Sequence, residues 1–134
     1  MLKARSGHIR LKKAKYKDML DVFPKLYNTF LEVTGQDLEE NQEVNNMLLQ
    51  INLRDLEANN KPEGFNRQRS IRMIFPIAKR PEFYFYSDGR TMEVAKATET
   101  ASRILEEAGI EHTIAWDEMY SDELKRRKEL LRGK

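Results

Sequence analysis

The chain has no cysteine, and only His8 and His112 among its 134 residues are histidine. The first absence removes disulfides, thiolate chemistry and cysteine-ligated zinc or iron–sulfur sites together. The second leaves too few imidazoles for a multi-histidine metal centre. An all-oxygen Mg²⁺ or Ca²⁺ site stays open to such a composition, although the sequence has no ladder of acids at EF-hand spacing. We expect no metal and no cofactor. Long apolar runs are missing too, since none approaches the roughly 20 residues that cross a bilayer. The N-terminus is positive but lacks the apolar stretch of a secretory signal, and lysines with a single serine do not compose a transit peptide. The expectation is a cytoplasmic protein with no membrane attachment.

What is present is charge, arranged in blocks. The formal net charge is only +2, yet residues 1–17 carry seven basic groups and no acid. Residues 18–64 carry ten acids against three basic groups, and residues 65–90 return to six basic and two acidic. Residues 91–118 hold seven acids and two basic groups, and residues 119–134 six basic and three acidic. Segregation of this kind bears on partners in a way that the net charge does not. The length fits one domain, 1–134, large enough to bury a core without covalent staples.

Periodicity supplies the elements. Residues 7–14 alternate at Ile9 and Leu11, a short strand signal. Residues 21–34 read as a helix with Asp21 as N-cap, Pro24 in the tolerant first turn, and Gly35 as a left-handed exit. Its apolar stripe is Phe23, Leu26, Tyr27, Phe30 and Leu31. Asp37 and Glu40 have capping-box spacing and open a second helix to about Ala58, with Val44, Met47, Leu48, Ile51 and Leu56 as its expected buried face. Turn formers at 59–64 end it. Residues 69–78 and 82–87 read as a hairpin whose first strand lies at a sheet edge, because Pro76 cannot donate to a ladder. Thr91 is the expected cap of a third helix bearing Val94, Ala97, Ala101, Ile104, Leu105 and Ala108, stopped at Gly109. Ile110, His112, Ile114 and Trp116 alternate as a last strand, and a charged helix is expected over 121–132.

This order predicts an α+β fold: a small sheet of about four strands with helices on one face. It is the ferredoxin-like, split βαβ order with an enlarged first helical connection and a C-terminal helix. Such a fold carries no function by itself.

Chemistry is sparse. The serines lack a nucleophile-elbow context, and His112 sits at an inward strand position that suits a hydrogen-bonded core residue. Asp88-Gly89-Arg90-Thr91, between a strand and a helix, resembles a phosphate-handling junction. It also resembles the nucleophile loop of haloacid-dehalogenase-like phosphatases, except that Tyr86 stands where the nucleophilic aspartate would be. No catalytic residue is assigned, and enzymatic activity is not the expectation.

In the ferredoxin-like sheet the first and third strands are central neighbours. Phe83 and Phe85 would then face the core with Ile9 and Leu11, while Tyr84 and Tyr86 share the opposite face with Arg10 and Lys12. Rings beside cations suit single-stranded nucleic acid, because bases stack while Lys and Arg neutralise phosphates. Phe83-x-Phe85 resembles the aromatic spacing of the third strand of the RNA-recognition motif. The glycines of that signature are missing and the first strand has no aromatic, so no family is assigned.

The expected function is non-enzymatic nucleic-acid binding, with Arg10, Lys12 and Lys13 on phosphates and Tyr84 and Tyr86 on bases. Arg72, Arg90 and the cluster Lys125, Arg126, Arg127 and Lys128 would assist. The alternative is a protein-interaction module, a regulator or inhibitor of a larger assembly or a homodimer. It would use the aromatic hairpin, whose tyrosines otherwise pack under the tail helix, or the acidic second helix.

Overall fold

A computed structural model describes residues 3–37, 42–67 and 70–118, to which all structural statements refer. Four strands and three α-helices follow in the order β1 (Ser6–Leu11), α1 (Phe23–Val33), α2 (Gln42–Glu57), β2 (Arg72–Ile74), β3 (Glu82–Tyr86), α3 (Thr91–Glu107) and β4 (His112–Trp116). A short 3₁₀ turn, Tyr16–Met19, links β1 to α1. The strands form one sheet in the order β2-β3-β1-β4, and every neighbouring pair is antiparallel. The Glu40 half of the expected capping box and the expected tail helix lie outside the described residues.

Register fixes the two faces, since directly opposed residues project to the same side. Ile9 lies between Phe83 and Ile114, and Gly7 between Phe85 and Trp116, on the side covered by helices. Phe30 of α1 stacks on Phe85 at 5.2 Å between centroids, and Phe75 lies 5.1 Å from Phe83. Phe65 meets Tyr27 and Phe30 edge-on. Helix α3 lies so close to β1 that a Cβ on Gly7 would stand 2.0 Å from Thr98 Oγ1, which explains glycine there. The core is thus an aromatic layer closed by aliphatic residues of α3.

The exits of α1 and α3 follow the expected chemistry, and α2 ends in the same way, with Asn59 at φ 57° and the Asn60 N–H bonded to the Asp55 carbonyl at 2.8 Å. Gly35 and Gly109 have φ of 72° and 76°, and the next residues, Gln36 and Ile110, bond back to the carbonyls of Leu31 and Leu105. That is the six-to-one bond of a Schellman motif.

The starts differ from expectation. Helix α1 begins at Phe23 with Val22, not Asp21, at the cap position, and no side chain caps it. Pro24 in the first turn removes one of the donors that a cap would have served. Helix α3 is preceded by Arg90 rather than capped by Thr91, and Ser87 Oγ accepts the Arg90 N–H at 3.2 Å.

The largest correction concerns α2. Its buried residues are Asn45, Leu49, Asn52 and Leu56, whereas Met47 and Ile51 are 55% and 39% exposed and Val44 and Leu48 are half-buried. The side-chain amide of Asn52 accounts for this rotation, while Asn45 contributes only its backbone carbonyl. Asn52 Oδ1 accepts the Gly64 N–H at 2.7 Å, and its Nδ2 donates to the Gly64 and Leu48 carbonyls at 3.0 and 2.9 Å. The Asn45 carbonyl accepts the buried Tyr27 hydroxyl at 3.2 Å. A buried peptide edge that finds such a partner outweighs the gain from covering Met47.

A second amide works the same way at the rim of the sheet. Gln36 is buried; its Oε1 accepts the Ile71 N–H at 2.8 Å, and its Nε2 donates to the Ile71 carbonyl at 3.2 Å. Beside it, Phe65 and Met73 exchange both backbone bonds, at 2.8 and 2.9 Å. Strand β2 is an edge strand as expected, with its outer side occupied, but it spans only Arg72–Ile74 of the expected 69–78, so Pro76 follows the strand instead of lying within it.

Candidate functional site

The face of the sheet away from α1 and α3 carries three cross-strand rows. Arg72, Tyr86 and Ser6 form one, Ile74, Tyr84, His8 and Ala115 the next, and Glu82, Arg10 and Thr113 the third. Strand alternation brings Arg10, Arg72, Tyr84 and Tyr86 to one face from three separate segments, and each is half-buried.

The middle row is the most enclosed. His8 is 2% exposed and stacks on Tyr84 with centroids 4.8 Å apart. Ser6, 1% exposed, shares a 2.9 Å hydrogen bond with His8 Nε2. His8 was not singled out in the sequence, where it reads as one polar residue in a basic arm; its position two residues from both Ser6 and Arg10 is the available signal.

In the first row the Tyr86 hydroxyl donates to Asp88 Oδ1 at 2.6 Å. That bond, with lesser contributions from partial burial and the Asp88 charge, raises the Tyr86 pKa, while nearby Arg5 and Arg72 oppose the rise. Tyr86 is therefore a neutral ring with two guanidinium groups in its electrostatic surroundings.

The third row is ionic. Arg10 Nε bonds Glu82 at 3.1 Å, and its Nη2 bonds Glu118 at 2.7 Å. The bond to Glu118 is the main cause of a raised Arg10 pKa; partial burial lowers it and Glu82 adds to the rise.

Beyond this row the sheet ends in a cleft of about 460 Å³. Arg10, Leu11 and Lys12 form one wall, Ala78, Lys79, Arg80, Pro81 and Glu82 the other, and Thr113 closes it from β4. The antiparallel pairing of Arg10 with Glu82 lays the end of β1 beside the turn that precedes β3. Arg80 Nη1 reaches the Lys12 carbonyl at 3.4 Å across the gap. In the sequence Lys79 and Arg80 lie in the gap between the two hairpin strands, and the strand register is what makes them neighbours of Lys12. Lys13 follows Lys12 as an exposed side chain.

Arg90 does not join this group. Its guanidinium donates to the Thr34 carbonyl at 2.6 Å, closing the C-terminus of α1. The Asp88–Thr91 junction is thus held by internal bonds, with Asp88 on Tyr86 and the Arg90 side chain directed to Thr34. Lys125, Arg126, Arg127 and Lys128 lie outside the described residues.

His112 is half-buried and hydrogen-bonded on the helix side of β4. Its Nε2 is 2.6 Å from Ser102 Oγ, and its Nδ1 is 2.9 Å from the Ile110 carbonyl. If Nδ1 donates to that carbonyl, Nε2 accepts from the serine, which satisfies both groups between α3 and β4. Among the described residues there is no cluster of three or more metal-ligating side chains, and no helix is long and apolar enough to cross a membrane.

Comparison of the chain with protein-family models, with curated proteins and with solved structures found no match.

Proposed function

We propose that this chain is a non-enzymatic, cytoplasmic single-domain protein of ferredoxin-like topology that binds single-stranded nucleic acid. The observation that supports this most is the convergence of Arg10 and Lys12 with Lys79 and Arg80 around one cleft, at the end of a face bearing Tyr84 and Tyr86. Cations at a strand end next to half-buried rings provide phosphate contacts and stacking surfaces in sequence along a single strand. Arg72 and Lys13 extend the basic surface at either end of that path.

Binding of fluorescent single-stranded RNA and DNA at low and moderate salt tests the reading. Phosphate contacts predict micromolar or tighter binding whose logarithm falls with log salt at about −0.7 per phosphate neutralised. The double variant Tyr84→Ala, Tyr86→Ala, checked by circular dichroism to be folded, should bind at least about tenfold more weakly, given ~1–3 kcal/mol per stacked base. Unchanged affinity in the folded variant removes the stacking model, and absence of binding at low salt removes the function.

A second reading rests on α2. Exposed Met47 and Ile51, with Leu48 and Ile51 lining a groove of about 220 Å³ beside Phe65, suit a protein partner. Association that persists as salt rises would favour this interaction module over a nucleic-acid ligand.

A further inference from the structure

The cleft at the end of the sheet holds more positive charge than one internal phosphodiester requires. Arg10 is the cation engaged by the carboxylates there, Glu82 and Glu118. Among the described residues, Lys12, Lys79 and Arg80 have no carboxylate at ion-pair distance. Among the described residues, four cations and one carboxylate, Glu82, line the cleft, and Glu118 bonds Arg10 from outside the lining, which leaves an excess of two positive charges. The walls also include Leu11, Ala78 and Pro81. The volume, about 460 Å³, is of the size that accepts a small ligand group rather than a bare ion.

An internal phosphodiester carries one negative charge. A terminal phosphomonoester carries about −1.5 to −2 at neutral pH and offers three acceptor oxygens. Lys12 lines it from the end of β1, Lys79 and Arg80 from the hairpin turn, and Thr113 from β4, so residues that carry donor groups come to the space from three segments. A group with three equivalent oxygens uses such an arrangement; a chain passing through, with two bridging oxygens committed to sugars, uses it less well.

We propose that this cleft is a phosphomonoester pocket that receives the terminal phosphate of a nucleic-acid strand. The proposal rests on the nucleic-acid reading and adds to it a preference for a strand end. The rest of the strand then runs from the cleft across Tyr84 and Tyr86.

The test compares three versions of one short single strand by fluorescence anisotropy at fixed salt: 5′-phosphorylated, 3′-phosphorylated, and hydroxyl at both ends. One phosphorylated version should bind about tenfold more tightly than the hydroxyl-ended strand, and which one it is fixes the polarity of the bound strand. Lys79 and Arg80 are exposed, so the double variant Lys79→Ala, Arg80→Ala should fold normally. In that variant the preference for the phosphorylated end should disappear. Equal affinity for all three strands, with binding itself intact, overturns the pocket and leaves the nucleic-acid function standing. A preference that survives in the double variant places the end elsewhere and also overturns it. If no strand binds at low salt, the pocket and the function fall together.

Discussion

The two faces of the sheet are made by the same alternating strands, yet different forces hold them. On the helix side Phe83 and Phe85 meet Phe30 and Phe75 ring against ring, with Ile9 fully buried between strands. On the other side the contacts are a histidine stacked on tyrosine, a tyrosine bonded to a carboxylate, and an arginine shared by two more. Burial of apolar area scales with what is removed from water and involves no titrating group or charge for salt to screen. Partly exposed ion pairs contribute little to stability but fix where charges stand. One face therefore supplies most of the apolar burial, and the other sets the positions of polar and charged groups.

The contrast is broken most directly at Phe85. Replacing this fully buried ring by alanine should cost about 3–5 kcal/mol, read as a lowered urea midpoint. A loss under ~1 kcal/mol would mean that the aromatic layer is not what holds the sheet together.

Gln36→Ala sharpens the comparison, because it tests a polar group inside the apolar side. The substitution leaves the Ile71 N–H and carbonyl without their amide partner, at ~1–3 kcal/mol for a buried group deprived of its bond. Equal stability of wild type and Gln36→Ala would show that water serves this edge as well.

The smallest effect belongs to Asp88→Asn on the opposite face. The bond to Asp88 favours the neutral Tyr86 hydroxyl, so the pKa is raised above the ordinary tyrosine value. The contribution of this contact is present below that range and is lost as pH rises through it. Asp88→Asn should lower the Tyr86 pKa in an alkaline ultraviolet titration, with Tyr86→Phe identifying the signal, and should change stability at neutral pH by less than ~1 kcal/mol. A pKa that does not move would assign the shift to burial instead.

Much of this architecture was legible before any coordinates. Alternation at Ile9 and Leu11 marked a strand, Pro76 marked an edge, and Gly35 and Gly109 marked helix exits, because each is a local rule about one backbone position. The orientation of α2 was not legible. A hydrophobic stripe through Met47 and Ile51 is the simplest reading, and only the distant Gly64 peptide explains why Asn52 is turned inward instead. The same distinction separates the parts of the candidate site. Tyr84 and Tyr86 could be placed from period two alone, whereas Lys79 and Arg80 become neighbours of Lys12 only through the pairing of Arg10 with Glu82. Sequence periodicity gives the side on which a residue lies; long-range register gives its company.

The amide of Gln36 and the peptide of Phe65 have an effect outside the folded monomer as well. Together they occupy the outward hydrogen-bonding groups of Ile71 and Met73. A sheet rim with its peptide groups open is a template on which another chain can polymerise. On this side an incoming strand would first have to displace a buried side-chain amide and a paired backbone segment. A chain with five consecutive residues as prone to aggregation as Phe83-Tyr84-Phe85-Tyr86-Ser87 thus keeps them one strand inside a sealed margin.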